Sequence, residues 1–228
     1  MDSNVNLIVE RLKKISYCEG IVYSGSRTDG DFVATSDYDF TVLVSKGKSY
    51  YKIFRYKNLL VDICCATEKV IIKQDFRRDK VANPELSIIA HGEILFDKAG
   101  QMKAIQKKAQ RVWKLGPKND IKEAGHLCTI FLHKLNKPRS DSAYHSWNII
   151  MDETVRLFFE LHKVWLPKPL KVESTINEID GAFFKLYKKI YLADSKNRVQ
   201  FTKQMIQYLI KKFDLPQTCE IYFLKDEN

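Results

Sequence analysis

Asp37 and Asp39 stand two residues apart at the head of the run Phe40-Thr41-Val42-Leu43-Val44. A small-residue turn, Gly25-Ser26-Arg27 with Gly30, lies shortly upstream, preceded by the apolar Ile21-Val22-Tyr23. The apolar runs read as strands. Alternate residues of a strand project to one face, so the two carboxylates point the same way. Parallel carboxylates beside a Gly-Ser turn suit one task well: holding a divalent cation and a polyphosphate together. Gly25 lets the backbone approach a phosphate closely, and Ser26 offers a hydroxyl and, with the following amides, a small anion nest.

Asp62 is a third acid, set inside Leu59-Leu60-Val61-Asp62-Ile63-Cys64-Cys65. An unpaired carboxylate in such a strand is costly to bury, and ligation of a metal accounts for it better than an edge charge facing solvent. Arg27 suits a phosphate, and equally a pairing with Asp29 or Asp31, which read as loop-solvating acids.

Gly25-Ser26-Arg27 with Gly30, then Asp37-Tyr38-Asp39, then Asp62 on a following strand resembles the nucleotidyltransferase motif of the DNA polymerase β superfamily. The resemblance covers roughly residues 18–97. Its three elements occur in the family's order. The remainder resembles, more loosely, the helical second domain of small bacterial nucleotidyltransferases, including aminoglycoside-type ones. The resemblance implies an α+β fold: a nucleotidyltransferase domain with a mixed sheet flanked by helices, followed by an all-α helical bundle. It implies transfer of a nucleoside monophosphate, AMP from ATP, to a hydroxyl, with release of pyrophosphate. Two Mg²⁺ ions held by Asp37, Asp39 and Asp62 would serve that reaction, with Asp62 also able to take the acceptor's proton. Gly25, Ser26 and Arg27 would face the nucleotide. In Trp165-Leu166-Pro167-Lys168-Pro169-Leu170-Lys171, a stiff proline segment could carry Lys168 and Lys171 over the triphosphate, as helical-domain lysines do in similar enzymes. The plainer reading of these lysines is a helix terminus complementing the dipole. Glu123 is an alternative general base by the same likeness, and otherwise an exposed helix acid.

The elements that must position these residues follow from periodicity. Residues 4–16 read as a helix, and 18–23, 38–45, 50–56, 58–65 and 92–97 as strands. Residues 67–77 and 84–90 read as helices, the second starting at Asn83-Pro84-Glu85. After Asp97-Lys98-Ala99-Gly100 the period turns helical, with segments 101–115, 119–136, 142–164, 174–191 and 196–213. The expected domains are therefore a catalytic domain, 1–98, and a helical substrate-binding domain, 99–228. Trp147, Ile150, Met151, Thr154, Leu157, Phe158 and Leu161 form one stripe that reads as core. Residues 219–224 read as a last turn or extended segment.

Composition bounds the rest. A chain of 228 residues with 45% hydrophobic content can bury an ample core. No window approaches the roughly 18 apolar residues of a membrane span, and the amphipathic start (Val5, Ile8, Leu12, Ile15) reads as a packed helix rather than a signal peptide. The five cysteines are odd in number and form no C-x-x-C pair, which points to a reducing cytoplasm rather than disulfides or zinc. Residues 1–100 carry 15 Lys and Arg against 14 Asp and Glu, whereas residues 101–228 carry 23 against 14. The basic half attracts nucleotides, nucleic acid or acidic proteins, or is simply a set of solvated helix faces. The five histidines show no metal-ligand spacing.

The sequence leaves the acceptor open: a small molecule such as an aminoglycoside-like antibiotic, a protein side chain or an RNA end. A homodimer is compatible with the resemblance. The competing readings are a non-catalytic nucleotide-binding or antitoxin-like module, which the presence of all three carboxylates disfavours, and a basic RNA-binding protein, for which no motif speaks.

Overall fold

The computed structural model describes residues 3–30, 36–56, 59–136 and 142–217. The chain forms two compact units, one up to Gly116 and one from Pro117.

The first unit runs α1 (Ser3–Leu12), β1 (Cys18–Ser24), α2 (Ser26–Asp29), β2 (Tyr38–Val44), β3 (Tyr50–Tyr56), β4 (Leu59–Ala66), α3 (Glu68–Asp75), α4 (Pro84–His91), β5 (Glu93–Asp97) and α5 (Gln101–Leu115). The five strands form one sheet in the order β3-β4-β2-β1-β5. It is mixed: β2 and β4 are parallel, and the other neighbours are antiparallel.

Strand alternation sorts the two faces of this sheet. Tyr38, Phe40, Val42 and Val44 of β2, with Ile21, Tyr23, Val61, Ile63 and Cys65, join Val5, Ile8, Val9 and Leu12 of α1 in one core cluster. The intervening residues of β2 and β4, Asp39 and Asp62 among them, therefore leave the face opposite α1. Against β1 pack α4 and α5, which also pack on each other. Asn83 starts α4 as expected: its side-chain oxygen accepts from Leu86 N at 3.0 Å, and its amide donates to Asp75 O and Arg77 O at 2.8 Å each.

The expected boundary after residue 98 differs from the division by packing. α5 lies in the first unit, burying Met102, Ile105 and Ala109 and packing on α4, β1 and β5. A helical period tells that a segment has an apolar stripe but not which surface that stripe covers.

Among the described residues the second unit is all helical: α6 (Ile121–Asn136), α7 (Ser142–Leu161), a 3-10 turn (Pro169–Lys171), α8 (Val172–Ile179), α9 (Gly181–Leu192) and α10 (Ser195–Phe213). In the expected α7 stripe, Ile150, Met151, Thr154, Leu157, Phe158 and Leu161 are buried. The single helix expected over 174–191 is two. Asp180 breaks it and caps α9, accepting from Ala182 N and Phe183 N at 3.0 Å each. The same carboxylate takes Tyr208 Oη at 2.8 Å and Lys212 Nζ at 2.5 Å. Burial alone would raise the Asp180 carboxyl, but Lys212, the Phe183 N–H and Tyr208 outweigh it and hold it below the ordinary range. The expected last segment, 219–224, lies outside the described residues, as do Asp31 and Cys219.

Candidate functional site

The sheet register assembles the carboxylates. Asp39 pairs with Ser24 across β1–β2 and with Asp62 across β2–β4. Paired residues share a face, so Ser24, Asp39 and Asp62 form one row across three strands, with Asp37 just before the start of β2. One ligand oxygen from each of Asp37, Asp39 and Asp62 lies within 4.8 Å of the others, and all three residues are half-buried. Three like charges this close repel unless a cation compensates them.

Two further observations suit a cation and an anion at this row. The Ser24 hydroxyl is buried, its residue 3% exposed, and has no hydrogen-bond partner among the described residues. Buried polar atoms are normally satisfied. Gly25 has φ +93°, a conformation that side chains rarely adopt, and a Cβ there would collide with Asp39 Oδ2 and lie 3.0 Å from its Cγ. The glycine keeps open the space into which Asp39 turns. The donor set, three carboxylates and a hydroxyl, is hard oxygen chemistry, which fits Mg²⁺ rather than zinc.

Ser26 begins α2, a single turn closed by Gly30 in the left-handed region, whose N–H bonds Ser26 O. So short a helix has little macrodipole, and any pull on phosphate comes from its individual N–H groups. Arg27 Nε donates to Ser36 O at 2.9 Å, and its guanidinium lies 4.2 Å from the Tyr38 ring centroid. Arg27 thus ties the turn to the residues that bracket Asp37.

A residue that the sequence reading missed is Tyr51 of β3, whose hydroxyl donates to Asp62 Oδ2. That bond to Asp62 pushes the phenol well above its ordinary value, with burial and the charges of Asp62, Asp39 and Asp37 adding to it. Tyr51 pairs with Cys64, so Asp62 is its diagonal neighbour, within reach of an aromatic side chain. The signal was present: a two-residue connection after Tyr56 fixes the hairpin register, and counting back from Leu59 opposite Tyr56 puts Tyr51 opposite Cys64.

The first unit brings Asp37, Asp39 and Asp62 together with Gly25 against Asp39, while Ser26 follows at the start of α2 and the Arg27 guanidinium lies against Tyr38 and Ser36. Lys168 precedes the 3-10 turn of the second unit and Lys171 ends it, both exposed, with Lys171 O accepting from Ser174 Oγ at 3.1 Å and Thr175 Oγ1 at 2.6 Å. Glu123 lies exposed in the first turn of α6. Burial, and then the charge of Glu123, raise the carboxyl of Glu160.

No protein-family model and no curated protein sequence matches the chain. Its fold matches a crystal structure of a nucleotidyltransferase-like protein from Exiguobacterium sibiricum 255-15 with a TM-score of 0.54. That match has 15% sequence identity and covers 92% of this chain and 74% of the other. The chain has a nucleotidyltransferase-like fold with a cluster of acids suited to a metal.

Proposed function

We propose that the chain is a metal-dependent nucleotidyltransferase that moves a nucleoside monophosphate, AMP from ATP, to a hydroxyl of an acceptor and releases pyrophosphate. The observation that carries this reading is the row Ser24–Asp39–Asp62 with Asp37, set on one face of the sheet beside the Gly25 turn. The likeness in fold to a nucleotidyltransferase-like protein supports it.

Asp37 and Asp39 would hold Mg²⁺ on the triphosphate side, and Asp62 would complete the site next to the acceptor. When bound, Mg²⁺ supplies neutralisation of the charge on the attacking and leaving oxygens. Asp62 takes the proton of the acceptor hydroxyl. The N–H groups of the Gly25-Ser26 turn and the Arg27 guanidinium orient the triphosphate, and Lys168 and Lys171 of the helical unit are further nucleotide-binding candidates. Glu123 is the alternative base. The helical unit is the candidate substrate-binding part of the chain.

Four free cysteines among the described residues support a reducing, cytoplasmic setting, and no helix among those residues is long and apolar enough to cross a membrane. A homodimer agrees with the family resemblance.

The test is Mg²⁺-dependent transfer of label from ATP labelled at the α-phosphate to aminoglycosides, lincosamides, tRNA and the proteins of a cell extract. Label on one acceptor, absent with Asp39→Ala, is the expected result. An Asp39→Ala chain that transfers at the normal rate overturns the reading.

A further inference from the structure

Tyr51 does more than touch the carboxylate row. Its phenol is a hydroxyl already hydrogen-bonded to the carboxylate assigned to the acceptor side. Asp62 in turn lies with Asp37 and Asp39 inside one 4.8 Å cluster. A nucleophile within hydrogen-bond reach of its base, beside the groups that hold the electrophile, meets the geometric requirement for attack.

The surroundings leave room for a product. β3 is an edge strand, and Tyr51 is 63% exposed although its hydroxyl is engaged. Ile53, the next residue on that face, is 55% exposed and pairs with Asp62. A bulky group on the Tyr51 oxygen would therefore extend over an open, partly apolar strand edge instead of displacing core.

We propose that Tyr51 is a nucleotidyl acceptor, so that the chain modifies its own β3 edge. The inference rests on the transferase reading above. In the step, the Tyr51 oxygen forms a bond to the α-phosphorus of a nucleoside triphosphate. The bond from that phosphorus to the β-phosphate's bridging oxygen breaks, and pyrophosphate leaves with the electron pair. The phenolic proton passes to Asp62. The product is a tyrosyl nucleoside monophosphate phosphodiester, and no oxidant or reductant is consumed. In that state the oxygen nearest Asp62 carries a phosphodiester, so modification also closes the acceptor position to other hydroxyls.

The experiment incubates the purified full chain with Mg²⁺ and each of the four common ribonucleoside triphosphates, then reads intact mass and maps the modified peptide. Binding of Mg-ATP is followed in parallel by calorimetry. The expected result is one nucleotidyl group per chain, on Tyr51. It is lost in Tyr51→Phe, which still binds Mg-ATP, and retained in Tyr50→Phe, whose altered side chain belongs to the opposite face. Modification mapped elsewhere, or undiminished in Tyr51→Phe, overturns the inference. A wild-type chain that binds Mg-ATP or labels an added acceptor yet never modifies itself also overturns it, while leaving the transferase reading intact. A chain that neither binds nor transfers removes both.

Discussion

Asp39 of β2 and Asp62 of β4 are direct partners in the parallel strand pair at the middle of the sheet. Their separation in sequence hides this: the chain leaves β2, builds the edge strand β3 and returns as β4 before the two acids meet. Parallel pairing fixes both side chains on the face away from α1, and the hydrophobic pattern on the other face locks that register, because a one-residue slip would bury both acids against α1.

Such a cluster stores like-charge repulsion in the absence of metal. Asp37→Asn or Asp39→Asn is expected to raise the melting temperature of the metal-free chain while abolishing the further rise that Mn²⁺ gives to the wild type. Transfer should fall by about a thousandfold or more, the loss of several kcal/mol of charge stabilisation. Thermal melts with and without metal, alongside the transfer assay, check both parts.

Gly25→Ala is predicted to damage the site from the backbone side. The substitution imposes φ +93° on a residue with a Cβ, and that Cβ meets Asp39. The strain costs about 1–3 kcal/mol, and relieving it moves the Asp39 carboxylate. Transfer should therefore fall more than stability does, whereas Gly30→Ala, with nothing within 4 Å of its Cβ, pays only for its left-handed conformation. Denaturant midpoints compared with rates separate the two.

Asp180 holds the helical unit at the junction of α8 and α9. Asp180→Ala removes the α9 cap and leaves Lys212 and Tyr208 without their acceptor. The expected loss is about 2–4 kcal/mol, short of a fully buried pair because the Lys212 side chain stays 35% exposed. The Asp180 carboxyl is depressed in the fold, so its stabilisation is full above the ordinary carboxylate range and is lost as pH falls through the folded value. Wild type should lose stability in acid more steeply than Asp180→Asn in urea titrations across pH.

Asp75 works in the opposite sense. Burial, and then the charge of Glu85, push its carboxyl from 3.8 up to about 6. The folded chain thus binds this proton more tightly than the unfolded chain does. Asp75 costs stability at neutral pH, and that cost shrinks as pH falls from about 6 toward 3.8. Asp75→Asn should be more stable than wild type at pH 7, by a margin that narrows over the same window. Urea midpoints measured at several pH values test it.

Much of this was legible in the residues themselves. The strand 50–56 and the helix 101–115 fall where their patterns place them, and the position of Asp62 in an apolar strand foretold its company. What escaped depended on partners rather than on local pattern. Periodicity runs through Asp180-Gly181 without showing a break, although a capping acid followed by glycine is itself a signal for one. The stripe of α5 does not reveal that it faces β1 and β5. Tyr51 was passed over because its importance lies in strand register, and the open Ser24 hydroxyl because only the fold shows it buried.

That Asp37, Asp39 and Asp62 together hold divalent metal and a triphosphate can be tested without knowledge of the acceptor. The measurement is a calorimetric titration of Mn²⁺ into the full chain with an ATP analogue whose α–β bridge cannot be cleaved. It is repeated without the analogue and in Asp39→Asn and Asp62→Asn. Metal and nucleotide should each tighten the other's binding, and Asp39→Asn should abolish this coupling. Asp62→Asn is expected to bind fewer Mn²⁺ ions per chain while still binding the nucleotide. Nucleotide binding that is indifferent to metal and to Asp39, or no binding of either, would contradict this role of the three acids.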